Sequence, residues 1–112
     1  MNLNHIYLQV HDLQGAVTWF ETIWQVRPGF QNERMATFSF NSLTLIFDAA
    51  TPETPATIGF ESDDCDRDFL PMVERGASVL EPPTNKEWGV RIAYLKGPGA
   101  LKFEIEGPIV NR

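Results

Sequence analysis

The sequence lacks the features that several protein classes require. It has one cysteine, Cys65, which excludes an internal disulfide and fits a reducing compartment. It has no apolar run of the roughly 18 to 20 residues that span a bilayer, and its N-terminus has no basic segment followed by an apolar one. These absences lead us to expect a cytoplasmic protein that does not interact with membranes.

Basic residues are also scarce, and they do not cluster. Nine Lys and Arg stand against fifteen Asp and Glu, which gives a net charge of -6. Since binding to phosphates needs a basic face, we expect no nucleic acid partner. An acidic protein favours a cationic small molecule electrostatically, although a mildly acidic total more commonly serves solubility alone.

The composition indicates a folded protein with one core. An apolar share of 43% with 12% aromatic residues is typical of folded soluble chains. The length of 112 residues suffices for one core and is too short for two ordinary domains. We therefore predict a single domain over residues 1–112.

The single cysteine has an unfavourable setting for catalysis. Cys65 lies between Asp64 and Asp66, and neighbouring carboxylates disfavour the thiolate form. We expect it to remain a thiol without a catalytic role.

The same order of secondary structure occurs twice. Residues 4–10 read as a strand that leads into an amphipathic helix and further strands, and residues 57–61 begin the same order again. Repeat 1 covers about residues 1–50 and repeat 2 about residues 56–108, with a proline-stiffened connector at 51–55. Two such halves can close on each other and leave a ligand cavity along the seam. Residues at equivalent points of the repeats are therefore candidates for one shared site.

Alternation and helical spacing predict the elements of repeat 1. The first strand alternates, with Ile6, Leu8 and Val10 on one side and His5, Tyr7 and Gln9 on the other. Asp12 is the predicted N-cap of a helix. Its apolar stripe consists of Leu13, Ala16, Val17, Phe20, Ile23 and Trp24. Two strands follow, at residues 35–40 and 43–48.

Repeat 2 has a less regular pattern. Asp63 or Asp64 caps its helix, Gly76 ends it, and Pro71 is expected to kink or shorten it. The apolar stripe of that helix consists of Phe69, Met72 and Val73. The predicted strands are residues 77–80, 90–95 and 101–106, with a break at 81–83 and a turn at 97–99.

Three segments in this order resemble one known superfamily. They are residues 4–13 (NHIYLQVHDL), 87–91 (EWGVR) and 97–105 (GPGALKFEI). With two successive arrangements of strand, helix and three strands, the chain resembles the vicinal oxygen chelate superfamily. That group includes glyoxalase I, extradiol dioxygenases, fosfomycin-resistance enzymes and bleomycin-resistance proteins. Gly97 and Gly99 replace the aspartates of the family's usual Asp-Pro-Asp-Gly turn.

The resemblance implies a fold class and an assembly. The fold is α+β, with two βαβββ repeats that form a curved mixed sheet or half-barrel around a cavity. The chain looks most like the small, metal-poor members related to bleomycin-resistance proteins. A homodimer is also implied, in some relatives with the halves exchanged between chains.

The resemblance further implies a metal site built from the first and last strand of each repeat. His5 and Glu104 match two of its four ligand positions, whereas Thr57 and Ile46 occupy the other two. Water, Glu61, Glu106, Asp48 or His11 are alternative ligands, but a shift of two strand residues moves a side chain by about 6 to 7 Å. We therefore expect no metal cofactor, and we keep a divalent metal held by His5 and Glu104 as the alternative.

The expected pocket combines apolar, aromatic and a few polar groups, as small-molecule pockets usually do. Its predicted residues are His5, Tyr7, Gln9, Ile46, Thr57, Glu61, Trp88, Arg91, Ile92, Tyr94 and Glu104. Trp88 and Arg91 form a lid, with Arg91 paired to an anionic ligand group. The other interpretation makes Tyr7 and Tyr94 part of the wall, Trp88 structural, and His5 and Glu104 a hydrogen-bonded pair.

Two classes of function are consistent with these residues. The first is a protein that binds a small molecule, cationic or aromatic, in the cavity between the repeats without a metal and catalyses nothing. The second is a metal-dependent lyase, transferase or dioxygenase with His5 and Glu104 as ligands, so enzymatic activity stays an open question. A dimeric accessory or regulatory module is a third alternative. The identity of the ligand does not follow from the fold.

Overall fold

A computed structural model describes residues 1–111 and divides the chain into two units. Unit 1 comprises Met1–Pro55 with Pro98–Ala100. Unit 2 comprises Ala56–Gly97 and the residues from Leu101 onward.

Unit 1 contains a four-stranded sheet and one helix. Its elements are β1 (His5–Val10), α1 (Leu13–Trp19), a π-helical turn (Phe20–Trp24), β2 (Phe30–Gln31), β3 (Met35–Phe40) and β4 (Leu43–Ala49). The strand order is β1-β4-β3-β2, and β1 runs parallel to β4 while the other pairs are antiparallel. The predicted N-cap is confirmed, because the Asp12 carboxylate accepts the Gly15 amide N–H at 2.9 Å.

The core of unit 1 lies between α1 and one face of the sheet. The predicted stripe of α1 continues through the π-helical turn, and Phe20 and Ile23 are buried there. The Phe20 ring packs on Phe38 with centroids 4.5 Å apart and on Phe47 at 5.4 Å. Alternation along β1 and β4 then leaves His5 and the other residues of its parity on the opposite face of the sheet.

Unit 2 repeats this plan. Its elements are β5 (Ala56–Glu61), α2 (Cys65–Glu74), β6 (Val79–Asn85), β7 (Arg91–Lys96) and β8 (Leu101–Gly107). The strand order is β5-β8-β7-β6, with β5 parallel to β8 and the other pairs antiparallel. Leu95, Phe103 and Ile105 are buried on the face that α2 covers. Because the strands alternate, Tyr94 and Glu104 lie on the other face.

Both ends of α2 follow the sequence signals. Of the two candidate caps, Asp64 is the one whose carboxylate accepts an amide N–H, from Arg67 at 3.1 Å. Gly76 follows the helix with φ at +106°, a conformation that favours glycine and stops the helix. The helix continues past Pro71 to Glu74, so the expected shortening at the proline does not occur.

The predicted break at residues 81–83 is wrong. These residues belong to β6, whose pairing with β7 shifts in register between Val79 and Glu81 and again between Glu81 and Thr84. The position of β6 in the sheet explains why it contains Pro82 and Pro83. It is an outer strand with one neighbour, so a residue without an amide N–H can face outward with no lost hydrogen bond.

The α+β class and the two βαβββ repeats are confirmed. The single domain and the cavity between the repeats stay predictions. None of the helices formed by residues 1–111 is long and apolar enough to cross a membrane.

Candidate functional site

The two repeats can be aligned residue by residue through their helix caps. His5 lies seven residues before the N-cap Asp12, and Thr57 lies seven residues before the N-cap Asp64. His5 and Thr57 therefore occupy equivalent positions in β1 and β5. The histidine of repeat 1 has no histidine counterpart in repeat 2.

Strand register aligns the other two positions. Tyr7, two residues after His5, is the register partner of Ile46. Gly59, two residues after Thr57, is the register partner of Glu104. Ile46 and Glu104 are therefore equivalent, and the carboxylate of repeat 2 faces an aliphatic counterpart in repeat 1.

This donor set does not fit the divalent ion implied by the resemblance. Ile46 has no donor atom, and a neutral threonine hydroxyl such as that of Thr57 is not among the usual protein ligands of zinc. Across residues 1–111 there is no group of three His, Cys, Asp or Glu side chains placed to hold one metal ion. His5 is exposed, and its Nδ1 lies 2.7 Å from the side-chain oxygen of Asn4.

The open face of unit 1 contains a polar depression. It has a volume of about 390 Å³ and is lined by Asn4, His5, Ser42, Thr44 and Ile46. Two of the predicted pocket residues, His5 and Ile46, thus lie together. Gln9 is half-buried on the same strand.

A buried carboxylate connects two exposed side chains of unit 1. The Asp48 side chain is 5% exposed and accepts hydrogen bonds from the Tyr7 hydroxyl and, at 3.1 Å, from Arg34 Nε. These bonds, first that from Tyr7 and then that from Arg34, lower the pKa of Asp48. The same bond to Asp48 raises the pKa of Tyr7. Tyr7 is thereby held in place with half of its surface exposed.

The sequence interpretation did not find this network, although it contains a signal for it. Asp48 lies near the end of a mostly apolar strand and has the same parity as Ile46. A buried carboxylate requires hydrogen-bond partners. The parity rule alone, however, does not identify Arg34, which precedes the neighbouring strand.

Unit 2 contains an acidic cavity on its open face. The cavity has a volume of about 190 Å³ and is lined by Gly59, Phe60, Glu61, Glu104 and Glu106. A Cβ atom at Gly59 would lie 3.4 Å from Glu104 Oε1, so the glycine brings the backbone of β5 close to this carboxylate. Two predicted residues, Glu61 and Glu104, meet here, whereas the exposed Thr57 does not line the cavity.

Tyr94 adjoins this cavity through Glu104. The two residues are register partners on β7 and β8. The pKa of Tyr94 is raised by burial first, and then by the negative charge of Glu104 and the hydrogen bond to it. Lys102 Nζ lies 4.5 Å from the centroid of the Tyr94 ring. Ile92, the register partner of Glu106, is only 2% exposed and contributes no open surface.

The two predicted lid residues are in different environments. Trp88 is 64% exposed in the turn between β6 and β7. Arg91 donates from Nε to Asp66 of α2 at 2.8 Å and from Nη1 to Asn85 at 3.2 Å. Arg91 therefore lies on the helix side of the sheet and is not part of the face that carries Glu104. Its expected pairing with an anionic ligand group is replaced here by Asp66.

Comparison with known proteins gives structural matches only. No family model and no curated protein matches the chain. A glyoxalase/bleomycin resistance protein/dioxygenase from Nocardioides has a TM-score of 0.84 at 18% identity, covering 100% of this chain and 86% of the other. A glyoxalase-related enzyme from Fulvimarina pelagi has a TM-score of 0.80 at 16% identity, with 96% and 88% covered. A glyoxalase/bleomycin resistance protein/dioxygenase superfamily member from Sphaerobacter thermophilus has a TM-score of 0.76 at 18% identity, covering 96% of this chain and 97% of the other.

These identities are low, so the likeness concerns the fold. The chain has the fold of the glyoxalase/bleomycin resistance protein/dioxygenase superfamily, the vicinal oxygen chelate fold, as the three sequence segments implied.

Proposed function

We propose that this protein binds a cationic small molecule with an aromatic part, without a metal ion, and that it holds its ligand rather than transforming it. The ligand contacts the open sheet face of unit 2, which carries Glu104. The observation that carries the proposal is the acidic cavity of unit 2.

Three glutamates line that cavity without a basic partner. No ion pair within residues 1–111 joins Glu61, Glu104 or Glu106 to a Lys or Arg. Carboxylates gathered in a small concave space attract a cation and raise its local concentration. A ligand ammonium would make the charge-assisted hydrogen bonds that the glutamates lack.

Aromatic surface on the same face supports an aromatic part in the ligand. Tyr94 lies beside Glu104, and Trp88 lies exposed in the adjoining turn. The partly exposed Tyr94 ring and the exposed Trp88 ring offer large apolar contact area with little entropy lost on binding. Cations and aromatic groups of one ligand would therefore find complementary contacts within unit 2.

A thermal-shift screen of cationic aromatic compounds and their neutral counterparts tests this proposal. We expect the cationic members to raise the melting temperature of the metal-free protein. Glu104→Gln should weaken their binding by about tenfold through the loss of one charge-assisted contact. The matched control is Glu74→Gln, which removes the same charge from an exposed position on α2 and should leave binding unchanged.

Two results would contradict the proposal. One is a protein that no cationic compound stabilises, or that neutral counterparts stabilise equally well. The other is equal weakening by Glu104→Gln and Glu74→Gln, which would make the effect one of net charge alone.

A metal-dependent lyase, transferase or dioxygenase is the second candidate. It is favoured by one observation, that His5 and Glu104 are ligand-type residues at the family's positions. Metal analysis of protein purified without chelator separates the two. A stoichiometric Ni, Zn, Mn or Fe that is lost in both His5→Ala and Glu104→Ala would favour the enzyme over the binding protein.

A homodimer is part of the proposal, as the resemblance implies. Light scattering coupled to size-exclusion chromatography should give twice the mass of the chain. A dimer whose stability no compound in the screen changes would instead favour a structural or regulatory module.

A further inference from the structure

Unit 2 already encloses one cation, the side-chain ammonium of Lys86. Its Nζ lies 2.5 Å from Glu81 Oε1 and 5.9 Å from the ring centroids of both Trp88 and Tyr94. The Lys86 side chain is only 18% exposed. An ammonium group, a carboxylate and two aromatic rings are thus gathered at one place.

These surroundings are those of a cation-binding cage. A cation is attracted to the face of a tryptophan or tyrosine ring within about 6 Å of its centroid, and the attraction grows as water is removed. The carboxylate supplies the opposite charge and a hydrogen-bond acceptor. Burial of a lysine ammonium is unfavourable unless such partners compensate for its lost hydration.

The Lys86 ammonium can move out of the cage without a change in the backbone. Its backbone is fixed in the turn, where its amide N–H bonds Val90 O at 2.7 Å and its carbonyl oxygen accepts from Gly89 N at 3.1 Å. Gly89 has φ at +98°, which favours glycine in this turn. Only the flexible side chain carries the ammonium into the cage, and Trp88, which forms one of its walls, is itself largely exposed to solvent. The ammonium can therefore move into water while the turn is unchanged.

The cage also adjoins the acidic cavity through one residue pair. Tyr94 contributes its ring to the cage, and it is the register partner of Glu104, which lines the cavity. Lys102 approaches the same ring at 4.5 Å, so Tyr94 lies near two ammonium groups that repel each other. Replacement of one of them by a ligand cation would keep the attraction to the ring.

We propose that Glu81, Trp88 and Tyr94 form a binding cage for an ammonium group of the ligand, and that Lys86 is an intramolecular competitor for that cage. The ligand class is a primary or quaternary ammonium compound. This inference deepens the proposed function and rests on it for the biological role of the cage. Removal of the Lys86 ammonium should therefore strengthen the binding of small ammonium ions.

Titration with choline and with its neutral isostere 3,3-dimethylbutan-1-ol tests the cage. The indole N–H resonance of Trp88 reports binding, at constant ionic strength. Lys86→Met keeps an unbranched side chain without the charge, and we expect it to bind choline at least about fivefold more tightly than the parent chain. Lys86→Gln is a second variant, should the methionine impair folding.

Lys96→Met is the matched control. It makes the same change in charge and shape at an exposed lysine whose Nζ contacts Gly97 O at 3.2 Å. We expect choline affinity within about twofold of the parent value for this control. Trp88→Leu or Glu81→Gln, added to Lys86→Met, should remove the gain in choline affinity. The amide resonance of Gly89 reports binding in these double variants, because Trp88→Leu removes the indole N–H. The neutral isostere should gain nothing from Lys86→Met.

The proposed cage is contradicted if the Lys86→Met variant binds choline no more tightly than the Lys96→Met variant. Failure to detect choline binding to either variant has the same meaning. The cage is also contradicted if the neutral isostere gains as much as choline, because the site would then be apolar rather than cation-selective. Failure here leaves the proposed function standing if the glutamate-dependent thermal shift is seen. Choline binding without any such shift would support the cage and contradict the proposed function.

Discussion

Asp48 shows how one buried carboxylate can organise an exposed surface. Its side chain is 5% exposed and holds both the Tyr7 hydroxyl and the Arg34 guanidinium. These hydrogen bonds favour the ionised form, which is why the pKa of Asp48 lies below its usual range. The folded state is therefore stabilised by the ionised carboxylate above its ordinary pKa of about 3.9, and this stabilisation is lost as the pH falls through the lowered value.

The replacement Asp48→Asn tests this linkage. We expect the variant to have a lower free energy of unfolding than the parent chain at pH 7, because the charge-assisted bonds to Tyr7 and Arg34 are gone. The difference should shrink as the pH approaches 3, measured by urea unfolding at each pH. Glu21→Gln, at an exposed position, is the control, and its free energy of unfolding should depend on pH as that of the parent chain does. A difference that is constant with pH would show that the charge of Asp48 is not responsible.

Cys65 is the residue whose chemistry the sequence indicated most directly. Burial, followed by the nearby charge of Asp66, raises the pKa of its thiol to about 11. Its Sγ lies 3.3 Å from the carbonyl oxygen of Ile105. The raised pKa favours the thiol form, chiefly through burial rather than through the neighbouring carboxylates alone. The absence of a catalytic role stays a prediction.

At the scale of elements, helical spacing and strand alternation predicted the helices and strands that depend on their own sequence. The stripe from Leu13 to Ile23 and the alternation of β1 predicted elements whose buried side chains lie as expected. β2 was not predicted because its two residues, Phe30 and Gln31, are both exposed and carry no periodicity. The course of β6 through two prolines depends on its place at the edge of the sheet, which only the tertiary structure decides.

The residues of the candidate site likewise fall into those that local pattern predicted and those that depend on tertiary structure. His5 and Glu104 were found because their strands alternate and the family fixes their positions. The Arg34–Asp48 pair and the enclosure of Lys86 were not found, because they depend on neighbouring strands and on a turn conformation. Parity predicted the face of Tyr94 correctly. The sequence interpretation placed Arg91 at the mouth of the pocket, although it lies an odd number of residues from Tyr94 and bonds Asp66 on the helix side.

The caps of α2 provide a test at this scale. Asp64→Ala should lower the free energy of unfolding by about 1 kcal/mol, since the Arg67 amide N–H loses its acceptor. Asp63→Ala is the matched control at the adjacent position. Asp63 forms an exposed ion pair with Arg67, and such pairs contribute about 0.3 to 0.5 kcal/mol. Chemical denaturation measures both, and a larger loss for Asp63→Ala would contradict the assignment of the cap.

At the scale of the molecule, the two repeats share a frame and differ in chemistry. Equivalent positions carry His5 and Thr57 in one case, and Ile46 and Glu104 in the other. Unit 1 presents a polar depression, whereas unit 2 gathers its unpaired glutamates and aromatic rings. Of these four positions only those of His5 and Glu104 carry ligand-type side chains, and the proposed cation site rests on the glutamates of unit 2.

An equilibrium titration of chelator-treated protein with the best cationic compound from the screen tests this account most directly. The account predicts saturable binding with one ligand per site in the presence of EDTA. The affinity should fall with added salt, since charge attraction is screened, and should be unchanged when Ni, Zn, Mn or Fe is restored. Binding that appears only after a metal is added, or that is insensitive to both salt and Glu104→Gln, would contradict it.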